Sequence, residues 1–222
     1  MSCAEVDLND GGREKLLAEK AYEQLLDMIL TGRLGVDAPL QERRLADLLQ
    51  FSRTPVREAL GRLEREGLVT RQAGRLLTVR EIPVREYIEI LHLRRTLETE
   101  AAGIAAGKID AADIDALRDA IHALMRAEVP SSADHWSIDD QLHEIICRAS
   151  GNSMLVTLVR DLRRRTRIFN TKRMPDRFSP GCQEHLAILD AIESGDEQAA
   201  RAAMTTHLTN VKLSILRKLG EF

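Results

Sequence analysis

Residues 52–69, S-R-T-P-V-R-E-A-L-G-R-L-E-R-E-G-L-V, constrain this chain more than any other stretch. Thr54 is a predicted N-cap, with Pro55 at the first helical position, where its missing N–H costs nothing. Val56, Ala59, Leu60 and Leu63 recur at helical spacing and form one apolar stripe until Gly67 stops the helix. The opposite face carries Arg53, Arg57, Arg62 and Arg65. Arg62 and Arg65 sit beside Glu58, Glu64 and Glu66, so a solvated helix face also accounts for those two.

The flanking sequence completes a unit over residues 14–80. A helix is predicted at 14–31 from Leu17, Ala21, Leu25, Met28 and Ile29, ended by Gly32 and Gly35 before a turn at Pro39. A short helix follows at 42–49, with Leu45 and Leu48 turned inward, and the tight turn Q-F-S-R leads into the arginine-faced helix. Two β-prone runs, 68–71 and 76–80, flank Gly74 and predict a small hairpin. Two short helices, a tight turn and a hairpin make a winged helix-turn-helix. Residues 1–13, with N-D-G-G at 9–12, are expected to be disordered.

From Pro83 onward no strand is predicted. Six helices are, at 83–107, 110–128, 134–150, 153–173, 179–194 and 196–219, and Gly107, Gly151 and Gly195 end three of them. Their short connections predict antiparallel packing of sequential helices. The expected fold class is therefore mainly α: an N-terminal winged helix-turn-helix and a C-terminal, all-helical six-helix bundle over residues 81–222.

Charge divides at the same place. The whole chain is near neutral, with a net charge of −3, which taken alone disfavours a nucleic-acid partner. Residues 41–80, however, hold nine arginines (43, 44, 53, 57, 62, 65, 71, 75 and 80) against five acids, while residues 81–222 carry a net negative charge. A basic segment joined to an acidic one points to two domains with different partners. The scarcity of aromatics, 3% of residues, suits helices packed by Ala and Leu and argues against stacking on single-stranded bases. No apolar run is long enough to cross a membrane. No secretory signal opens the chain, and its three cysteines are too few for a disulfide framework. A cytoplasmic setting is expected.

In a winged helix-turn-helix the second helix enters the DNA major groove with its N-terminal residues at base edges. Here those residues include Arg53 and Arg57, one turn apart and suited to bidentate contact with guanine. Ser52, Thr54 and the free N–H groups of the helix start suit phosphate, and Arg43 can anchor another. Gly74 and Arg75 at the hairpin tip are expected near the minor groove. Residues 52–69 together with L-Q-E-R-R-L-A-D-L-L-Q-F at 40–51 resemble the DNA-binding domain of the GntR family of bacterial transcription regulators. Two departures are visible. V-D-A-P-L at 36–40 stands where the family commonly has Pro-Gly before a strand-like Leu, and A-G-R-L at 73–76 stands where a G-R-G tip is frequent.

All six histidines lie in the second segment: 92, 122, 135, 143, 185 and 207. Asp139 and His143 share a helix face at i,i+4, and His185 and His207 fall on two other helices. By spacing alone these residues fit a metal site in a bundle core or isolated packing histidines. D-D-Q-L-H-E-I-I-C-R-A-S-G-N (139–152), E-H-L-A-I-L-D-A-I-E-S-G-D (184–196) and M-T-T-H-L (204–208) resemble the FCD ligand-binding domain of one GntR subgroup, that of FadR-like regulators. The resemblance implies a divalent metal ion held by Asp139, His143, His185 and His207, zinc in the first instance, with nickel or manganese as alternatives. Asp140 is a rival carboxylate, and Leu142 replaces the usual Phe. L-R-R-T-L-E-T-E-A-A (93–102) resembles the domain's first helix, which gives Arg94 an effector-binding role beside the plainer reading of an Arg94–Glu98 surface pair. Of Arg163, Arg164, Arg165 and Arg167, one is expected to face the pocket. Cys147 and Cys182 are read as small apolar fillers.

Together these features predict a sequence-specific regulator, not an enzyme. It would bind a pseudo-palindromic double-stranded DNA operator as a homodimer, as a repressor in the first instance, with its affinity set by a small organic acid at the metal site. A regulator that senses the metal ion itself is the alternative, and a helical-bundle metalloenzyme the more distant one.

Overall fold

The computed structural model describes residues 10–36, 38–72, 76–170 and 177–220. The chain falls into two compact units that divide after Ile82.

The first unit contains α1 (Asp10–Leu30), α2 (Glu42–Leu49), α3 (Arg53–Arg65), β1 (Val69–Gln72) and β2 (Leu76–Val79). Ala21, Leu25 and Ile29 of α1 pack with Val56, Ala59, Leu60 and Leu63 of α3 to make a fully buried core. Each of the Leu, Ile and Val side chains contributes about 1.5–3 kcal/mol of transfer free energy, and each alanine less. β1 and β2 are antiparallel, with Val69 opposite Val79 and Gln72 opposite Leu76. Leu40 N–H donates to the Leu77 carbonyl at 2.8 Å, which lays the segment after α1 along the hairpin.

Three sequence expectations change here. α1 starts at Asp10, inside the stretch expected to be disordered, and residues 1–9 lie outside the described residues. Ser52, not Thr54, is the N-cap of α3, in extended backbone at φ −69°, ψ 166°, which places Pro55 at the third helical position. Proline is tolerated there for the same reason as at the first, because the first-turn N–H groups have no intrahelical acceptor. Leu48 is exposed at 59%, so Leu45 and Ala46 are the residues that α2 buries.

The second unit is all helical: α4 (Val84–Ala105), α5 (Ala111–Arg126), α6 (Ser132–Ala149), α7 (Ser153–Asn170), α8 (Phe178–Glu193) and α9 (Glu197–Gly220). The packing order is not simply sequential. α4 packs against α6, α7, α8 and above all α9, while α5 packs on α6 and α8. α4 buries Tyr87, Ile90, Leu91, Arg94, Glu98, Ala101, Ala102 and Ala105 along one face, with Gly103 buried on the opposite side against Arg201 of α9. A Cβ at Gly103 would collide with the Arg201 side chain, so glycine is what lets that side chain lie against α4. Gly107, Gly151 and Gly195 all adopt positive φ just past a helix end, the left-handed geometry that a glycine C-cap supplies. Cys147 and Cys182 lie in the apolar core beside Ile146 and Ile188.

Candidate metal centre and nucleic-acid interface

Three helices deliver four donors to one point inside the second unit. α6 supplies Asp139 and His143 one turn apart, α8 supplies His185 and α9 supplies His207. One donor atom from each lies within 4.8 Å of all the others. The imidazole centroids are 4.8–5.8 Å apart. His143, His185 and His207 are buried at 0%, 2% and 4% exposure, a depth at which a polar atom needs a partner.

Two of these atoms lack one. His143 Nε2 and His185 Nε2 are buried and make no hydrogen bond. Both face Asp139 Oδ1, His143 at 3.8 Å, too far for a hydrogen bond, and His185 at 3.2 Å without making one. Leaving a buried polar group unsatisfied costs about 1–3 kcal/mol. Two such nitrogens around one carboxylate oxygen are what a cation-binding group presents when its donors are arranged for an ion. Protonation states suit that role. Burial pushes the His143 imidazole down to about 3, with the Arg163 guanidinium adding to the effect, so it is neutral near pH 7. Burial likewise takes His207 down to about 4. Burial by itself would raise the Asp139 carboxyl, but Arg163 and the neighbouring imidazoles hold it well below the usual range, and it is ionised. Neutral imidazoles and an ionised carboxylate are the forms that bind metal.

A second ring of residues surrounds these four. The Glu98 carboxylate accepts from His143 Nδ1 and is gripped by Arg94, whose Nε lies 2.6 Å from Oε1. The Glu184 carboxylate accepts from His207 Nδ1 at 2.9 Å, from Asn210 Nδ2 at 2.8 Å and from both terminal nitrogens of Arg177. Arg163 Nη2 bridges Asp139 at 2.5 Å and Asp140 at 2.7 Å, and Arg167 Nη1 reaches Asp140 at 3.1 Å. Asp140 thus faces arginines, and Asp139 is the carboxylate that joins the histidines. Of the arginine run on α7, Arg163 turns most fully inward, at 8% exposure, while Arg164 pairs with Asp161. Arg94 does pair with Glu98, but in the interior, not at the surface. His135, one turn before Asp139, packs edge-on to Trp136 and beside Phe178.

Sequence reasoning did not single out Glu184, Arg177 or Asn210, and it assigned Glu98 no part in the site. The only trace of Glu184 is its place beside His185. Glu98 was visible as the i,i+4 partner of Arg94, but a surface pair and a buried one look alike in sequence.

In the first unit Arg43, Ser52, Arg53 and Arg57 are exposed and Thr54 is half-buried. Arg53 lies 3.7 Å from Glu42, and Arg57 carries no ion pair among the described residues. Arg62 is committed internally: it bonds Glu19 and Glu66 at 2.7 and 3.0 Å and covers the Tyr22 ring at 3.7 Å. Arg71 clamps Glu64 through two bonds, tying the hairpin to α3. Gly74 and Arg75 lie outside the described residues. Among those described, no helix is long and apolar enough to cross a membrane.

Comparison with known proteins places both units. Residues 17–91 match the family model described as bacterial regulatory proteins, gntR family, and residues 89–210 match that of the FCD domain. The chain is 31% identical over 202 residues to the Uxu operon transcriptional regulator of Escherichia coli, covering 79% of this chain and 77% of that protein. It is 29% identical over 211 residues to the HTH-type transcriptional regulator LutR of Bacillus subtilis, covering 83% and 94%. Among solved structures, E. coli McbR/YncC superposes with a TM-score of 0.77 at 22% identity, covering 90% of this chain and 98% of that one.

Proposed function

This chain belongs to the GntR family of bacterial transcription regulators, with an FCD domain after its DNA-binding domain, and from that membership we propose how the two units act together. It is a DNA-binding transcription regulator, and its relatives and structural neighbours are regulators, not enzymes. In our reading the FCD unit holds one divalent ion, zinc in the first instance, through Asp139, His143, His185 and His207. Bound there, the ion would supply a Lewis-acidic position for an oxygen of a small organic acid. Arg94 uses Nε and Nη2 on Glu98 and offers its remaining N–H groups to the acid's carboxylate. Arg53 and Arg57 read bases, while Ser52, Thr54 and Arg43 hold phosphates, with Gly74 and Arg75 at the wing. A homodimer on a pseudo-palindromic operator, working in the cytoplasm as a repressor, gives two such readers one helical turn apart. An acid that binds one state of the dimer more tightly than the other changes operator affinity by the reciprocal factor.

The observation that carries this reading is the convergence on one point of three buried histidines, two of them with an unpartnered nitrogen, and the half-buried Asp139. Thermal unfolding of zinc-loaded protein against a panel of small carboxylates tests it. A ligand selective for the folded state adds stability as RT ln(1 + c/Kd) at free concentration c, so the midpoint rises with the logarithm of its concentration. A rise with zinc-loaded protein that is absent after chelation supports the reading, and no rise with any carboxylate counts against it. The depth of the site favours a second reading, in which the metal ion alone is the signal. Operator release on adding zinc, without any acid, would select that reading.

A further inference from the structure

The two glutamates behind the histidines have no counterpart in the four-residue donor set. Glu98 comes from α4 and is fully buried, and Glu184 comes from α8 as the residue directly before His185. Each receives the Nδ1–H of one site histidine: Glu98 that of His143, Glu184 that of His207. Each is also fixed from behind, Glu98 by Arg94 and Glu184 by Arg177 and Asn210. The consequence is tautomeric. A histidine whose Nδ1 donates to a carboxylate must present Nε2 as a lone pair, and His143 Nε2 is the buried, unpartnered atom that points among the donors.

We propose that Glu98 and Glu184 are positioning residues of the metal centre, which lock His143 and His207 as Nδ1–H tautomers and set the affinity of the site for a divalent ion. The inference rests on the metal reading above. The carboxylates orient the rings and raise the basicity of the coordinating nitrogens without touching the ion. Arg94 and Arg177 keep the two anions in place, so charge and geometry arrive at the centre already organised. The arrangement spans α4, α6, α8 and α9, and it makes α4 a participant in the centre although it contributes no ligand.

The test is zinc affinity, measured by competition with a chromophoric chelator on the full-length protein, for wild type, Glu98→Gln and Glu184→Gln. The glutamine amide keeps the shape and removes the charge. The expected result is a zinc Kd weakened by roughly 10–100-fold in each variant. The visible spectrum of the cobalt-loaded variants should also shift, a readout that a purely structural role would not move. Glu184 is reached by solvent, so Glu184→Gln carries the test alone if Glu98→Gln does not fold. A folded variant that binds zinc within threefold of wild type, with an unchanged cobalt spectrum, overturns the proposal and leaves the metal reading standing. A wild-type chain that takes up no zinc overturns both.

Discussion

At the scale of single residues, the four candidate donors were legible through the resemblance of three local runs, 139–152, 184–196 and 204–208, to the FCD domain, since spacing alone also fitted isolated packing histidines. The residues that tune them were not, because their role arises from tertiary approach: Glu98 and His143 are 45 positions apart, and Glu184 and His207 are 23. A surface pair and a buried clamp share one sequence pattern, so only burial gives Arg94–Glu98 its meaning. Two outcomes follow at this scale. Arg57→Ala should abolish specific operator binding and leave the circular dichroism spectrum unchanged, since Arg57 is exposed and unpaired among the described residues. Losing one bidentate base contact costs about 1–3 kcal/mol of discrimination per half-site, and an unchanged footprint would contradict the assignment. The metal-free protein should also lose stability as pH falls. Unfolded histidine titrates near about 6.5, whereas folded His143 and His207 titrate at about 3 and about 4. Between those values the unfolded chain binds more protons, so the stability present at neutral pH drains away as pH drops through the window. Urea unfolding of chelator-treated protein from pH 7 to pH 4 checks this; a flat profile would contradict it.

At the scale of elements, helix ends were read most reliably, because glycine in the left-handed region is a local requirement: Gly67, Gly107, Gly151 and Gly195 all take positive φ. The end of α2 is the exception. Gln50 occupies that region at φ 57°, ψ 38°, and its N–H returns to the Ala46 carbonyl. A side chain there bears a steric penalty of about 1–2 kcal/mol that glycine avoids. After the entropy cost of glycine, Gln50→Gly should stabilise the protein by about 0.5–1 kcal/mol. Chemical denaturation measures it, and a destabilised variant would show that the Gln50 side chain makes a compensating contact. The N-cap of α3 was misplaced by two residues because Pro55 fits any position of the first turn equally well. Packing order was harder still to foresee. Short loops suggested sequential pairing, but α4 packs against α6, α7 and above all α9, and contacts with helices so far along the chain leave no local trace in its sequence.

At the scale of the whole molecule, a net charge of −3 hides a basic stretch at 41–80, nine arginines against five acids, which lies within the part of the chain that matches the gntR family model. In the mechanism proposed above, the donor cluster of the FCD unit governs DNA affinity through a bound ion and a small acid. Operator binding tests it most directly, using duplexes selected from a randomised pool by the zinc-loaded protein and fluorescence anisotropy with and without the carboxylate that stabilises it. For wild type the expected shift in operator Kd is about 5–150-fold, the usual span of an allosteric coupling of about 1–3 kcal/mol. For His143→Ala, folded but without its metal by elemental analysis, no shift is expected. A wild-type operator Kd unmoved by saturating acid, or a shift of equal size in His143→Ala, would contradict that mechanism.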